Sequence, residues 1–125
     1  MSQTKRERVV IVGASDKPER YAHKAMLSLL DHGHEVVLVH PILRQIGTHP
    51  VRNDLKEVLA PVDTVTLYVG PSISSSLGEK LIALAPRRVI FNPGTENPEL
   101  ESELKAAGVP TERACTLVLL ATGVF

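Results

Sequence analysis

The densest group of side chains able to do chemistry in this 125-residue chain lies in V-V-I-V-G-A-S-D-K-P-E-R, Val9 to Arg20. Gly13, Ala14 and Ser15 are small residues in succession, followed closely by two cations, Lys17 and Arg20. A tight junction from strand to helix points unpaired backbone N–H groups, with the positive end of the helix dipole, at one place. An anionic group, most often a phosphate, is the natural occupant. Lys17 and Arg20 can reach a diphosphate there, or each is a solvated side chain at a helix start. Positive charge at that end costs about 0.3–1 kcal/mol, which favours the ligand reading.

Other reactive groups are sparse. Cys115 is the lone thiol; it can serve acyl transfer or a mixed disulfide, or be a small buried hydrophobe. His23, His32, His34, His40 and His49 show no metal-like spacing, and no metal site is expected. His32 and His34 flank Gly33, where a cation caps a helix end. Glu99, Glu101 and Glu103 fit a solvent-facing helix start rather than a general acid–base pair, and no catalytic residue is assigned.

These groups need a frame. Val9 to Val12 suits a strand buried on both faces, as the centre of a parallel sheet requires. Gly13 turns the chain, Ser15 or Asp16 can cap a helix, and Pro18 fits its first turn. Ala22, Met26, Leu29 and Leu30 recur at helical spacing from about Glu19 to His32, and Gly33 stops the run. Glu35 to Val39 predicts a second strand, ending at His40-Pro41. Ile42 to Pro50 reads as a loop, and Asn53 as the cap of a short helix, Asp54 to Ala60, ahead of Pro61.

Val62 to Val69 predicts a third strand, closed by Gly70-Pro71. Ser72 or Ser74 can cap the next helix, whose face is Ile73, Leu77, Leu81 and Leu84; Gly78 within it costs about 1 kcal/mol, and Pro86 ends it. Arg88 to Asn92 is a fourth strand, followed by Pro93-Gly94-Thr95. Asn97 caps another helix, Pro98 opens it and Gly108 closes it. Val109 to Glu112 predicts a fifth strand. The apolar tail, Thr116 to Phe125, is helical or extended.

Strand and helix thus alternate with short connections, the pattern of a doubly wound five-stranded parallel sheet with helices on both faces. Right-handed crossovers leave few topologies. Strand order 3-2-1-4-5 puts the switch point between strands one and four, with Gly13–Ser15 and Asn92–Thr95 facing each other across one crevice. No repeat or linker interrupts the chain, and residues 1–125 read as one domain.

Bulk properties narrow the partners. Fourteen basic and fourteen acidic residues balance, so no global field gathers a polyanion. Tyr21, Tyr68, Phe91 and Phe125 are too scattered to stack bases, and nucleic acid is excluded. No apolar run approaches a membrane span, Met1 to Arg8 is polar without a signal-peptide core, and the single cysteine points to a reducing cytoplasm. Partnership with a second copy or another protein, through the tail, stays open.

The crevice also discriminates among ligands. Ser15 and Pro18 stand where G-x-G-x-x-G needs its second and third glycines, and strand two ends in His40 instead of an acid for ribose. NAD thereby loses its anchor, and the Walker lysine is absent. His40, Arg44 and His49 tolerate a further phosphate on the ribose, which admits NADP or coenzyme A.

V-V-I-V-G-A-S-D-K-P-E-R-Y-A, H-G-H-E-V-V-L-V-H-P, P-V-D-T-V-T-L-Y-V, R-R-V-I-F-N-P-G-T-E-N-P-E-L and the terminal A-C-T-L-V together resemble the small single-domain CoA-binding proteins. Their Rossmann-like sheet is similar to the N-terminal domain of the succinyl-CoA synthetase α subunit. The resemblance implies coenzyme A or an acyl-CoA across the crevice, with Gly13, Ala14 and Ser15 near the phosphates. Further contacts are implied at His40 and Pro41, Gly70 and Pro71, and Pro93 and Gly94. His40 stands where the family commonly has Asn, and Ile42 and Leu43 displace the usual basic residue to Arg44. The sequence shows no counterpart of the synthetase domain that carries the phosphorylated histidine, so the expected role is binding without catalysis. An NADP-linked reductase, a Cys115-dependent acyl transferase and a regulatory or scaffolding subunit are the alternatives.

Overall fold

The computed structural model describes residues 5–125, so the first half of the polar stretch Met1 to Arg8 lies outside the described residues. The central strand, β1 (Arg8–Val12), alternates its side chains between two cores. Val10 and Val12 join one hydrophobic cluster; Val9 and Ile11 join the other. This is the two-sided burial that the apolar run predicts.

The loop after β1 is longer than expected. Helix α1 (Tyr21–Asp31) begins with Arg20 as its N-cap, so Pro18 precedes the helix instead of opening it, and neither Ser15 nor Asp16 caps it. Ala22, Ala25, Met26 and Leu29 face inward. Gly33, at φ +86°, ends the helix, and the His34 amide reaches back to the Leu29 carbonyl at 3.0 Å. β2 (Glu35–Val39) then lies parallel to β1, with Val37 opposite Val10.

The segment Ile42 to Pro50 is no plain loop. β3 (Gln45–Ile46) and β4 (His49–Arg52) form an antiparallel hairpin across Gly47, at φ +60°. β4 also runs parallel to β2, Leu38 opposite Val51 and Val39 opposite Arg52. A single 3-10 turn, Leu55–Glu57, replaces the helix expected over Asp54 to Ala60. Its cap is Asp54, which accepts from the Lys56 amide at 2.9 Å, and not Asn53.

β5 (Thr64–Leu67) is the core of the expected third strand. The helix expected next is split into α2 (Pro71–Ser74) and α3 (Gly78–Leu84). Gly70 is the N-cap of α2, in place of either serine, and Pro71 opens it. Gly78 begins α3 instead of interrupting it, and a Cβ there would collide with the Glu103 carboxylate. β6 (Arg88–Phe91) and α4 (Pro98–Ala106) follow, the latter capped by Asn97 as expected, with the Leu100 amide at 3.2 Å from its side-chain oxygen. β7 is Thr111–Arg113, two residues later than its expected start, and the tail forms helix α5 (Thr116–Ala121).

The sheet has seven strands in the order β3-β4-β2-β1-β5-β6-β7, parallel except for the β3–β4 hairpin. The expected order 3-2-1-4-5 is therefore wrong. The third expected strand, β5, pairs with β1, Val65 opposite Val10, and not with the outer edge of β2. β4 already occupies that edge, so the chain must cross to the free side of β1. The switch point moves accordingly to the gap between β1 and β5. Helices cover both faces: α1 and α5 pack over Val9, Ile11 and Leu38, while α3 and α4 cover Val65, Leu67 and Val89.

Glu101 also departs from expectation. It is buried and accepts from Arg113 Nε at 2.9 Å, Arg113 Nη2 at 3.1 Å and the Asn97 amide at 3.0 Å. The Arg113 hydrogen bonds hold its carboxyl below the usual range. It ties β7 to the start of α4 instead of facing solvent.

A cleft at the switch point

The carboxyl ends of β1, β2, β5 and β6 surround a cleft of about 860 Å³. The β1–α1 loop supplies Gly13, Ala14, Ser15, Lys17 and Arg20. His40 and Pro41 come from the end of β2, Gly70 from beyond β5, and Pro93 and Gly94 from beyond β6. Two expected members fall outside this lining. Arg44 is exposed on the approach to β3, its carbonyl accepting from the Val51 amide, and Pro71 begins α2. The turns at Gly13 and Gly94 share the cleft as expected, with the end of β5 between them.

The amides of the first turn are arranged differently from a simple anion nest. Gly13 N and Ala14 N both donate to the Val39 carbonyl, at 3.0 and 3.1 Å. They anchor the turn to β2 and are not free for a phosphate. The amides of Ser15 and Asp16 have no protein acceptor among the described residues, and those of Tyr21 and Ala22 open α1. Ser15 itself is held twice: its hydroxyl accepts from the Lys17 amide at 3.1 Å, and His23 Nδ1 lies 2.8 Å from its carbonyl. A carbonyl only accepts, so Nδ1 of His23 carries the proton. The amides left without a protein acceptor thus start two residues later than the glycine suggests, with Lys17 and Arg20 exposed beside them.

Gly13 has a packing reason of its own. At φ +92°, a Cβ would sit 2.8 Å from Val69 Cγ1 and 3.0 Å from the Tyr68 carbonyl oxygen. The turn can pass the end of β5 only without a side chain.

On the β2 side, His40 Nδ1 accepts from the amides of Ile42 and Leu43, at 3.1 and 3.0 Å. An asparagine oxygen at this position can accept the same amides, so His40 is a workable replacement. Asp54 also lines the cleft, but its carboxylate is occupied by Lys80 Nζ at 3.1 Å and by the Lys56 amide. The Lys56 amide and Lys80 hold its carboxyl below the usual range. It is therefore not a free acid for ribose hydroxyls.

On the β6 side, the Gly94 amide donates to Glu96 Oε1 at 3.1 Å. Behind it, buried Asn92 donates to Thr66 Oγ1 at 2.6 Å and to the Leu67 carbonyl at 2.9 Å, and accepts from the Thr116 amide at 2.9 Å. Tyr68 projects from the end of β5 into the lining, its hydroxyl pushed up to about 12 by burial. Cys115 is half-buried at the start of α5 and does not line the cleft. Sequence reasoning missed Asn53, Asp54, Tyr68, Ile73 and Lys80 as cleft residues. Ile73, read from its spacing as part of a core face, is instead 55 % exposed; all five are placed by long-range packing, which leaves no local signal.

A family model described as a CoA binding domain matches residues 7–121, nearly the whole chain. The chain belongs to this CoA-binding domain family. A relative from Bacillus subtilis, the uncharacterized protein YneT, is 27 % identical over 103 residues, which are 82 % of this chain and 76 % of that one. A solved structure of an uncharacterized protein is 39 % identical, with a TM-score of 0.92 over 98 % of this chain and 100 % of that chain. The fold also resembles part of a dinucleotide-forming acetyl-coenzyme A synthetase from Ca. Korarchaeum cryptofilum. That match has 17 % identity and a TM-score of 0.70, over 84 % of this chain and 25 % of the synthetase chain. No helix among the described residues is long and apolar enough to cross a membrane.

Proposed function

We propose that this CoA-binding domain holds coenzyme A or an acyl-CoA in the cleft at the β1–β5 switch point, without catalytic machinery of its own. The observation that carries the reading is the β1–α1 loop. Its free Ser15 and Asp16 amides, beside Lys17 and Arg20, line a cleft large enough for a nucleotide-sized ligand. The diphosphate lies there, with His40 and Pro41 on one side and Gly70, Pro93 and Gly94 on the other. Arg44, outside the lining, reaches the 3′-phosphate only from the rim. Cys115 lies off the lining, which counts against thiol-dependent acyl transfer. The occupied Asp54 carboxylate counts against NAD. A cytoplasmic setting, suggested by the single cysteine, belongs to the same reading.

Thermal unfolding with CoA, dephospho-CoA, NADP and NAD at matched concentrations tests it. A ligand at a hundred times its Kd adds about 2.7 kcal/mol, or about 10 °C for a chain of this length. A rise with CoA and none with NAD is expected. A rise with NADP alone favours a reductase, and no rise with CoA overturns the proposal.

A further inference from the structure

We infer that Asn53 is a positioning residue for the ligand, and that His40 meets the ligand as a neutral hydrogen-bond donor instead of a cation. The inference rests on the CoA-binding reading of the cleft. His40, Pro41 and Leu43 form the β2-side wall, and the wall is clamped from two directions. The amides of Ile42 and Leu43 point at His40 Nδ1. From just beyond β4, Asn53 Nδ2 donates to the carbonyls of His40 and Leu43, at 2.9 and 2.8 Å. Both partners are acceptors, so the two-hydrogen amino end of Asn53 must face them. Among the described residues, no other side chain of the segment from His49 to Asp54 hydrogen-bonds to this loop.

The clamp fixes the imidazole. With two amide hydrogens aimed at it, Nδ1 carries a lone pair, and the neutral ring holds its proton on Nε2. Nε2 has no hydrogen-bond partner among the described residues, on a residue that lines the cleft. It presents one N–H to an acceptor oxygen of the ligand, of a phosphate ester or a ribose hydroxyl. Protonation puts a second hydrogen on Nδ1, against the two amides, and breaks the wall.

The remaining charged groups of the cleft do not mimic this response. Asp16, Lys17 and Arg20 in the β1–α1 loop, Lys80 on α3 and Asp54 after β4 face the same space. The Arg52 carbonyl of β4 accepts from the His40 amide at 3.0 Å, and among the described residues no side-chain hydrogen bond joins the two. Histidine is the side-chain type that ordinarily changes charge between about pH 5 and 8. His23, on α1, donates through Nδ1 and keeps that bond when protonated.

Calorimetric titration of the full chain with CoA and dephospho-CoA, at about pH 7.5 and about pH 5.5, tests the clamp in wild type, N53A, H40A and H40N. At the higher pH, N53A and H40A are expected to bind CoA about tenfold more weakly. H40N, whose oxygen can accept both amides, should recover part of the loss of H40A. Wild type should lose more affinity on acidification than H40N, a comparison that removes the titration of the ligand's own phosphate. N53A binding as tightly as wild type overturns the inference, and so does wild type gaining affinity over H40N at low pH. Hydrogen exchange at the Leu43 amide of the ligand-free protein separates the two readings. Faster exchange in N53A supports the clamp, and unchanged exchange overturns it, whereas wild type taking up no CoA overturns the CoA-binding reading.

Discussion

Gly13 and Gly94 form a matched pair for measuring what close packing demands of the cleft. Their φ angles are +92° and +89°, so an alanine at either place suffers similar backbone strain, about 1–3 kcal/mol. Their surroundings differ. A Cβ at Gly94 meets nothing within 4 Å, whereas at Gly13 it meets Val69 Cγ1 at 2.8 Å and the Tyr68 carbonyl at 3.0 Å. Val69 can rotate, but the carbonyl belongs to the backbone beside β5 and yields only if β1 and β5 separate. Overpacking of this kind adds about 1–3 kcal/mol. Gly13→Ala is therefore expected to lose about 2–6 kcal/mol and Gly94→Ala about 1–3 kcal/mol. For a domain of this length, 1 kcal/mol moves Tm by about 4 °C, so the two variants should differ by about 4–12 °C. Differential scanning calorimetry of the ligand-free variants gives the comparison. Equal losses would refute the packing argument and return Gly13 to a conformational requirement alone.

Three further outcomes follow from buried polar groups. Burial lowers the His34 pKa, outweighing the attraction of Glu7, so the unfolded chain binds a proton that the folded one resists. Stability should therefore fall as pH drops through about 6.5, by at most about 1.4 kcal/mol per pH unit, and His34→Gln should flatten that slope in urea titrations at several pH values. Asn97→Ala removes a helix cap and the donor at 2.9 Å from the hydroxyl of fully buried Ser74. A loss of about 2–4 kcal/mol is expected by urea denaturation, and a loss below 1 kcal/mol would contradict the assigned hydrogen bonds. Tyr68, raised to about 12 by burial, should stay protonated in the folded chain when an unfolded tyrosine, near 10, has ionised. Stability is then lost as pH rises above about 10, and Tyr68→Phe should reduce that loss in ultraviolet-monitored unfolding.

Much of the fold is a local matter, and local matters are legible in sequence. Val9 to Val12 needs only its own β-branched residues to declare a strand buried on both faces, and Asn97-Pro98 needs only capping chemistry to start α4. Gly13 and Ser15 likewise mark a small-residue turn after the first strand, with Lys17 and Arg20 close behind, before any fold is known. Which side of β1 receives β5 is not local. That choice turned on the β3–β4 hairpin, whose two-residue strand Gln45–Ile46 is too short to show a period, yet whose partner β4 takes the outer edge of β2 and leaves one side of β1 free.

The same division runs through the cleft. Residue types identify Gly13 to Ser15 as a turn, but only the Val39 carbonyl, brought alongside by parallel pairing of β1 with β2, decides that the amides of Gly13 and Ala14 are occupied. His40 is visible as a polar residue at a strand end; its tautomer is set by the curl of Ile42 and Leu43 and by Asn53 across the β2–β4 pair. Sequence alone determined the parallel strands β1, β2, β5 and β6, the helices α1 and α4, the small-residue turn and the family resemblance, because each rests on neighbours a few residues apart. Tertiary structure decided strand order, which amides remain free and which ring nitrogens of His23 and His40 donate or accept, because those hydrogen-bond partners meet only in the folded chain.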